Sequence, residues 1–215
     1  MNQRPDHPVD LLILAGGRGE RLGGADKAAL LVGGTSLLSR ILGGVGPDGA
    51  EPLGGQVVVV GQTLVPDGIL VTVEEPPDGG PVAGIAAGLE ALDATDRQSV
   101  PEWVAVIAVD QPSAARALAT LRDQLAVVPE SIDAVSHVDA SNHRQWLLGL
   151  YRRDRLQAAL TSLPTVHGAS VRTLVSDLAW LTVTTDQNDL GDVDTWEDVR
   201  VWEERLARPD PDLRD

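Results

Sequence analysis

Of the seventeen basic residues in the chain, only Lys27 is a lysine; the rest are arginines. It closes the densest glycine loop of the sequence, Ala15-Gly16-Gly17-Arg18-Gly19-Glu20-Arg21-Leu22-Gly23-Gly24-Ala25-Asp26-Lys27. A lysine where every other cation is a guanidinium marks a position that needs a compact, mobile ammonium rather than a planar fork. Position alone says little, since Arg18, Arg21 and Lys27 place three of the seventeen cations here. The surroundings say more. Glycines let a backbone approach phosphates closely and turn its amides toward them. Spacing excludes two common phosphate loops. A dinucleotide loop needs G-x-G-x-x-G, but Gly17-Arg18-Gly19-Glu20-Arg21 is followed by Leu22. A P-loop needs Gly-Lys-Ser/Thr, but Gly24 is followed by Ala25-Asp26. What remains is a longer loop with three cations spaced along it, which suits a wrapped triphosphate.

The acidic candidates are Asp110 and Asp192. Asp110 follows the apolar run Trp103–Val109 and precedes Gln111-Pro112. That place fits a turn former or a ligand of a hard cation such as Mg2+, which takes one or two carboxylates plus phosphate oxygens. Asp192 and Asp194 are two apart, so on an extended segment they face one way. Thr195 with Asp198 reads as a helix capping pair. Gly79–Gly84 reads as a second close backbone approach opening the helix Val82–Leu92, with a turn and cap as the plainer alternative. No Gly-x-Ser-x-Gly is present, and the four histidines (His7, His137, His143, His167) lack ligand spacing.

These residues need a scaffold, and the apolar pattern supplies one. Strands are predicted at Leu11–Ala15, Gln56–Gly61, Leu70–Glu74, Trp103–Val109, Ile132–His137, Trp146–Tyr151 and Leu181–Thr184. Leu11–Leu14, Val57–Val60 and Val104–Val109 are continuously apolar, as in a parallel sheet covered on both faces. Helices are predicted at Ser36–Leu42, Val82–Leu92, Ala114–Val127, Asp154–Leu163, Ser170–Leu178 and Thr195–Leu206. Gly43–Gly55 reads as a flexible surface loop. The alternation implies βαβ units: a single-domain, Rossmann-like three-layer α/β/α fold with a mostly parallel sheet, spanning 8–207, with flexible tails at 1–7 and 208–215. In such a sheet ligands bind outside the carboxyl ends of the strands, where the loop after Leu14 and Asp110 both emerge.

The chain has 215 residues and a formal net charge of −15, which argues against nucleic-acid and anionic-membrane partners. It has no cysteine, hence no disulfide and no thiolate nucleophile or metal site. No apolar run approaches a membrane span, and the polar, proline-bearing start is not a signal peptide. The expected compartment is the cytoplasm.

The motif Leu14-Ala15-Gly16-Gly17, continuing through Arg21-Leu22-Gly23-Gly24 to Asp26-Lys27, resembles the signature of the molybdenum cofactor guanylyltransferases, nucleotidyltransferases of the sugar-nucleotide pyrophosphorylase type. The resemblance continues at Gly79–Ile85, Asp110-Gln111-Pro112, Gly149–Arg153, Gly168–Arg172 and Asp192–Asp198. It implies transfer of GMP from GTP to the terminal phosphate of molybdopterin, with Mg2+ as cofactor. It further implies that Leu14, Ala15, Gly16 and Gly17 contact the nucleotide. Lys27, with Arg21, would hold the phosphates in a catalytic role, and Asp110 would bind both metal and nucleotide. Asp192 would be a second metal ligand, and Glu75 (or Glu74) would read the base. Other cofactor-maturation proteins are the expected partners. The chain departs from the family in having Trp146 and Trp196 where proline is usual, and Asp192 and Asp194 where asparagines are common. An asparagine expected at the end of the second strand is absent from Val57–Gly61. Asp-Gln-Pro is also similar to the related molybdopterin cytidylyltransferases, so CTP or another acceptor phosphate is the alternative, as is a non-catalytic nucleotide-binding chaperone.

Overall fold

The computed structural model describes residues 7–17, 22–139, 141–184 and 190–207. Its centre is a seven-stranded sheet. The strands are β1 (Val9–Leu14), β4 (Gly54–Val60), β5 (Leu70–Thr72), β6 (Trp103–Ala108), β7 (Ala134–Val138), β8 (Arg144–Arg152) and β9 (Trp180–Thr184). A separate hairpin is formed by β2 (Leu31–Val32) and β3 (Thr35–Ser36). The sheet order is β5-β4-β1-β6-β8-β7-β9. β8 runs antiparallel to β6 and β7, and the remaining pairs are parallel. The six residues of β1 are all buried; Leu11–Leu14 are so as a continuous apolar run on a central strand must be, and Asp10 is buried among them.

Helices cover both faces. α1 (Leu37–Val45), α3 (Ala114–Gln124) and α6 (Trp196–Leu206) pack into one apolar cluster with Leu11, Ile13, Val57 and Val59. α2 (Pro81–Asp93), α4 (Arg153–Ser162) and α5 (Val171–Leu174) pack into the other with Leu12, Leu14, Val58 and Val60. Odd and even residues of one strand thus serve opposite layers, which is the period-2 rule applied to a three-layer fold. α2 lies directly on β1: a Cβ added to Gly88 would stand 2.5 Å from Leu12 Cδ1, and one at Gly84 would stand 2.9 Å from Leu14 Cδ2.

One element is unexpected, and two local readings change. The hairpin turns on Gly33-Gly34, both at positive φ (60° and 78°), a geometry suited to two-residue hairpin turns. The predicted helix Ser170–Leu178 is a single turn, α5, because the chain leaves helical geometry at Val175 to enter β9. Gly43–Gly55 is no loose loop: α1 runs to Val45, and the amides of Ala50 and Glu51 bond back to the carbonyls of Gly43 and Gly44 at 2.9 and 2.8 Å. Its glycines serve close packing, since a Cβ at Gly49 would meet Gly44 O at 2.6 Å. Of the expected tails, 1–6 and 208–215 lie outside the described residues.

Candidate active site

Strand order reverses between β1 and β6: the chain leaves β1 for β4 and β5 on one side, then returns to β6 on the other. Crevices form at such switch points. Two cavities open here. The larger, about 530 Å3, is lined by Leu14, Gly16, Gly17 and Lys27 after β1, Glu74 after β5, Gly80 and Pro81 at the start of α2, and Asp110 after β6. A smaller one, about 280 Å3, adjoins it and shares Ala108, Asp110 and Leu147.

Lys27 begins a 3-10 turn, Lys27–Ala29, that is fixed at both sides. Asp26 caps it by accepting from the Ala28 amide at 2.9 Å, and its other oxygen accepts from the Thr63 hydroxyl at 2.8 Å, tying the loop to the end of β4. Leu22 anchors the loop in the core. From this base the ammonium reaches two carboxylates: Nζ lies 2.8 Å from Asp110 Oδ2 and 2.5 Å from Asp194 Oδ1. Burial opposes the ammonium, but its hydrogen bonds and charge contacts with Asp110 and Asp194 prevail, so its pKa is raised and it is charged at neutral pH.

Asp194 arrives from the far end of the chain. Val193 is fully buried, and its amide donates to Asp110 O at 2.8 Å, so the segment 190–194 is stitched to the end of β6. Below it, Thr195 and Asp198 form the predicted capping box at the start of α6. The hydrogen bonds of Thr195 hold the Asp198 carboxyl below its ordinary pKa. Asp192 accepts from Gln111 Nε2 at 3.1 Å. Burial and then the charge of Asp110 raise its carboxyl above the usual range, against the Gln111 bond and Lys27.

Two like-charged carboxylates pressed together around a crevice suit a hard dication, and Asp110 and Asp192 are the residues that could hold one. Among the described residues no group of three or more His, Asp or Glu encloses a metal site. That donor set fits an ion completed by phosphate oxygens and water, as Mg2+ usually is.

Most of the expected residues converge here, with three differences. Ala15 does not line the cavity; its amide donates to Val60 O at 2.8 Å, continuing the sheet. Glu74 stands on the cavity wall, whereas Glu75 is exposed and off it. Both lie in the irregular segment after β5, which ends at Thr72, so no strand period decides between them. Arg21 lies outside the described residues. Asp194 as a partner of Lys27 was missed, although its place two residues after Asp192 was the available signal. Arg152 and Arg153 lie at the other end of the sheet, where Arg153 pairs with the buried Asp10 and Arg152 pairs with Glu102. His137 is buried with Nε2 3.0 Å from Ala117 O, a core histidine rather than a ligand.

Glycines after β1, a lysine between carboxylates and a second wall at the start of α2 are an arrangement that can accommodate phosphates. Residues 11–182 match the MobA-like NTP transferase domain. The chain belongs to the molybdenum cofactor guanylyltransferase family. It is therefore a nucleotidyltransferase of molybdenum cofactor biosynthesis.

Two members of the family resemble it along most of their length. The molybdenum cofactor guanylyltransferase of Bradyrhizobium sp. (strain ORS 278) is 30% identical over 213 residues, 94% of each chain. That of Nitrobacter hamburgensis is 33% identical over 162 residues, covering 71% of this chain and 73% of its own. Among solved structures, Rv0371c of Mycobacterium tuberculosis H37Rv is 25% identical, with a TM-score of 0.64 over 93% of this chain and all of its own. The cytidylyltransferase IspD of Francisella tularensis shares the fold at a TM-score of 0.67 and 16% identity, over 92% of this chain and 100% of its own.

Proposed function

We propose that this guanylyltransferase-family chain transfers GMP from GTP to the terminal phosphate of molybdopterin. An oxygen of that phosphate attacks the α-phosphorus of GTP, the bond from the α-phosphorus to the bridging oxygen breaks, and pyrophosphate leaves. The observation that carries this reading is Lys27 and Asp110, 2.8 Å apart at the junction of two cavities. One cavity is large enough for a nucleotide, and the other meets it at the same carboxylate.

The attacking phosphate is anionic at neutral pH, so the site needs no strong base, and among the described residues lining it there is no Ser-His or Cys-His pair. Its work is positioning and charge neutralisation. Lys27 pairs with the phosphates. Arg21, on the same loop, adds a second cation. The backbone of Gly16 and Gly17 and the start of α2 offer amides to the phosphates. Mg2+, held by Asp110 and Asp192, would supply neutralisation of the phosphate charge. Glu74 on the wall favours guanine, whose N1–H and exocyclic amine form two adjacent donors for one carboxylate. The net charge of −15 argues against nucleic acid as a partner. Among the described residues no helix is long and apolar enough to cross a membrane. We place the catalytic unit at residues 8–207, with tails on both sides, working in the cytoplasm beside other cofactor-maturation proteins.

The test is pyrophosphate release from GTP, CTP, ATP and UTP with molybdopterin and Mg2+. Selective turnover of GTP is expected. Preference for CTP would overturn the base assignment, and no release with any nucleotide would overturn the reaction.

A further inference from the structure

The smaller cavity has a composition of its own. Two of its walls are the carboxylates of Asp110 and Asp192, and Arg144 is the one cation among its lining residues. Arg144 opens β8, and its guanidinium carbon lies 5.6 Å from the centre of the Trp180 ring. Trp180 meets Tyr151 edge to face at 5.6 Å and 81°, and the Tyr151 hydroxyl donates to the carbonyl of Trp146. Trp146 itself lines the cavity and is only partly buried. The Tyr151 hydroxyl is buried and held far above its ordinary pKa by desolvation, so it serves as a fixed donor to that carbonyl. Arginine, Trp180, Tyr151 and the backbone at Trp146 thus form one continuous support behind the cavity.

A cavity with a tryptophan on one wall and a single arginine at its mouth selects for a flat ring system carrying an anion. Apolar ring faces stack on indole, and guanidinium binds phosphate through paired hydrogen bonds. An anion that approaches Asp110 from the nucleotide side meets Lys27. From the smaller cavity, where two carboxylates repel it, the cation available among the described lining residues is Arg144. We infer that this cavity is the acceptor subsite: Arg144 binds the acceptor's phosphate, and Trp146 is the stacking wall for its planar heteroaromatic body. The inference rests on the nucleotidyl-transfer reading and adds the residues that select the acceptor.

Calorimetric titration of the full chain tests this. The probe is a pterin monophosphate, run with and without a non-hydrolysable GTP analogue and Mg2+, with inorganic phosphate as the comparison. Saturable binding of the pterin phosphate is expected, tighter than inorganic phosphate. Arg144→Gln should weaken it about tenfold, as loss of a charge-assisted contact does, and Arg144→Lys should recover part of that. Trp146→Leu should weaken it several-fold, and the affinity for the GTP analogue should stay within about twofold in every variant. If wild type takes up the GTP analogue but not the pterin phosphate, the cavity is not an acceptor subsite of this class. If the variants lose GTP analogue affinity instead, it is part of the nucleotide site, and if neither affinity changes, it has no such role. Failure of the nucleotidyl-transfer reading shows separately, as absence of nucleotide binding in the wild-type titration.

Discussion

Replacing Asp194 by asparagine should tighten nucleotide binding. Lys27 does not wait free for phosphate. Its ammonium is shared between Asp110 at 2.8 Å and Asp194 at 2.5 Å. A triphosphate that recruits Lys27 must draw it away from at least one of them. The Lys27 side chain is 16% exposed and that of Asp194 46%, so the pair is neither a surface pair nor a buried one. Exposed pairs contribute about 0.2–1 kcal/mol, and breaking a buried one costs about 3–5 kcal/mol. An intermediate pair falls at about 1–2 kcal/mol, a factor of about 5–30 in an equilibrium constant. In Asp194→Asn the neutral amide still fits the space but no longer holds the ammonium as an ion. The dissociation constant for GTP, measured by calorimetry in the presence of a chelator, should therefore fall about tenfold. Asp192→Asn is the control: it removes the same charge from the same crevice, but its partner is Gln111, not Lys27. Its gain should be smaller. Unchanged or weaker GTP binding by a fully folded Asp194→Asn would refute the competition. An equal gain in both variants would assign the effect to general negative charge instead.

Other consequences are as direct. Lys27→Arg keeps the charge but replaces a compact ammonium wedged between two carboxylates with a planar fork, and should lower turnover about tenfold or more without a change in melting temperature; near-normal pyrophosphate release would mean that charge alone suffices. Asp10→Ala leaves Arg97 and Arg153 without their buried carboxylate, at the end of β1 opposite the site, and should cost about 3–5 kcal/mol in denaturant unfolding while the folded fraction keeps its GTP affinity. Asp198 has a folded-state pKa below its unfolded value because of the Thr195 hydrogen bonds, so its contribution is present above about pH 3.9 and lost as pH falls through the lower folded value. The melting-temperature gap between wild type and Asp198→Ala should be constant from about pH 5 to 8 and close below about pH 3.9.

What could be read from the sequence was what short-range chemistry determines. Three continuous apolar runs read as strands buried on both faces, and they are the adjacent central strands β4, β1 and β6 of the sheet. Glycines followed by a lysine after the first strand, and an aspartate after β6, must meet at one end of that sheet because parallel strands end together. Choices that turn on a single residue were harder. Glu74 and Glu75 differ by one position in an irregular segment beyond the end of β5, and only Glu74 is on the cavity wall. The Gly33-Gly34 turn was legible in principle, but its strands have two residues each, too few to show a period.

The least legible feature is the one that controls Lys27. Its partner Asp194 is 167 residues away, and no local pattern ties the two. The link is a single backbone bond, Val193 N–H to Asp110 O, together with the full burial of Val193. Those two contacts turn the acidic cluster before α6 toward the crevice, Asp194 to Lys27 and Asp192 to Gln111. Asparagines at both positions could keep hydrogen bonds there but not the charge. Asp192 and Asp194 thus place two negative charges at a site proposed to take a triphosphate and an anionic acceptor. The cost is lower while Lys27 lies across Asp110 and Asp194, and it rises when Lys27 moves to phosphate. A dication at Asp110 and Asp192 would cancel it at that moment. Nucleotide and metal binding should therefore be more strongly coupled here than in a site with asparagines. GTP affinity measured with and without Mg2+ should show a larger ratio for wild type than for the Asp192→Asn, Asp194→Asn double variant. Equal ratios would mean that the added charges are neutralised by other groups.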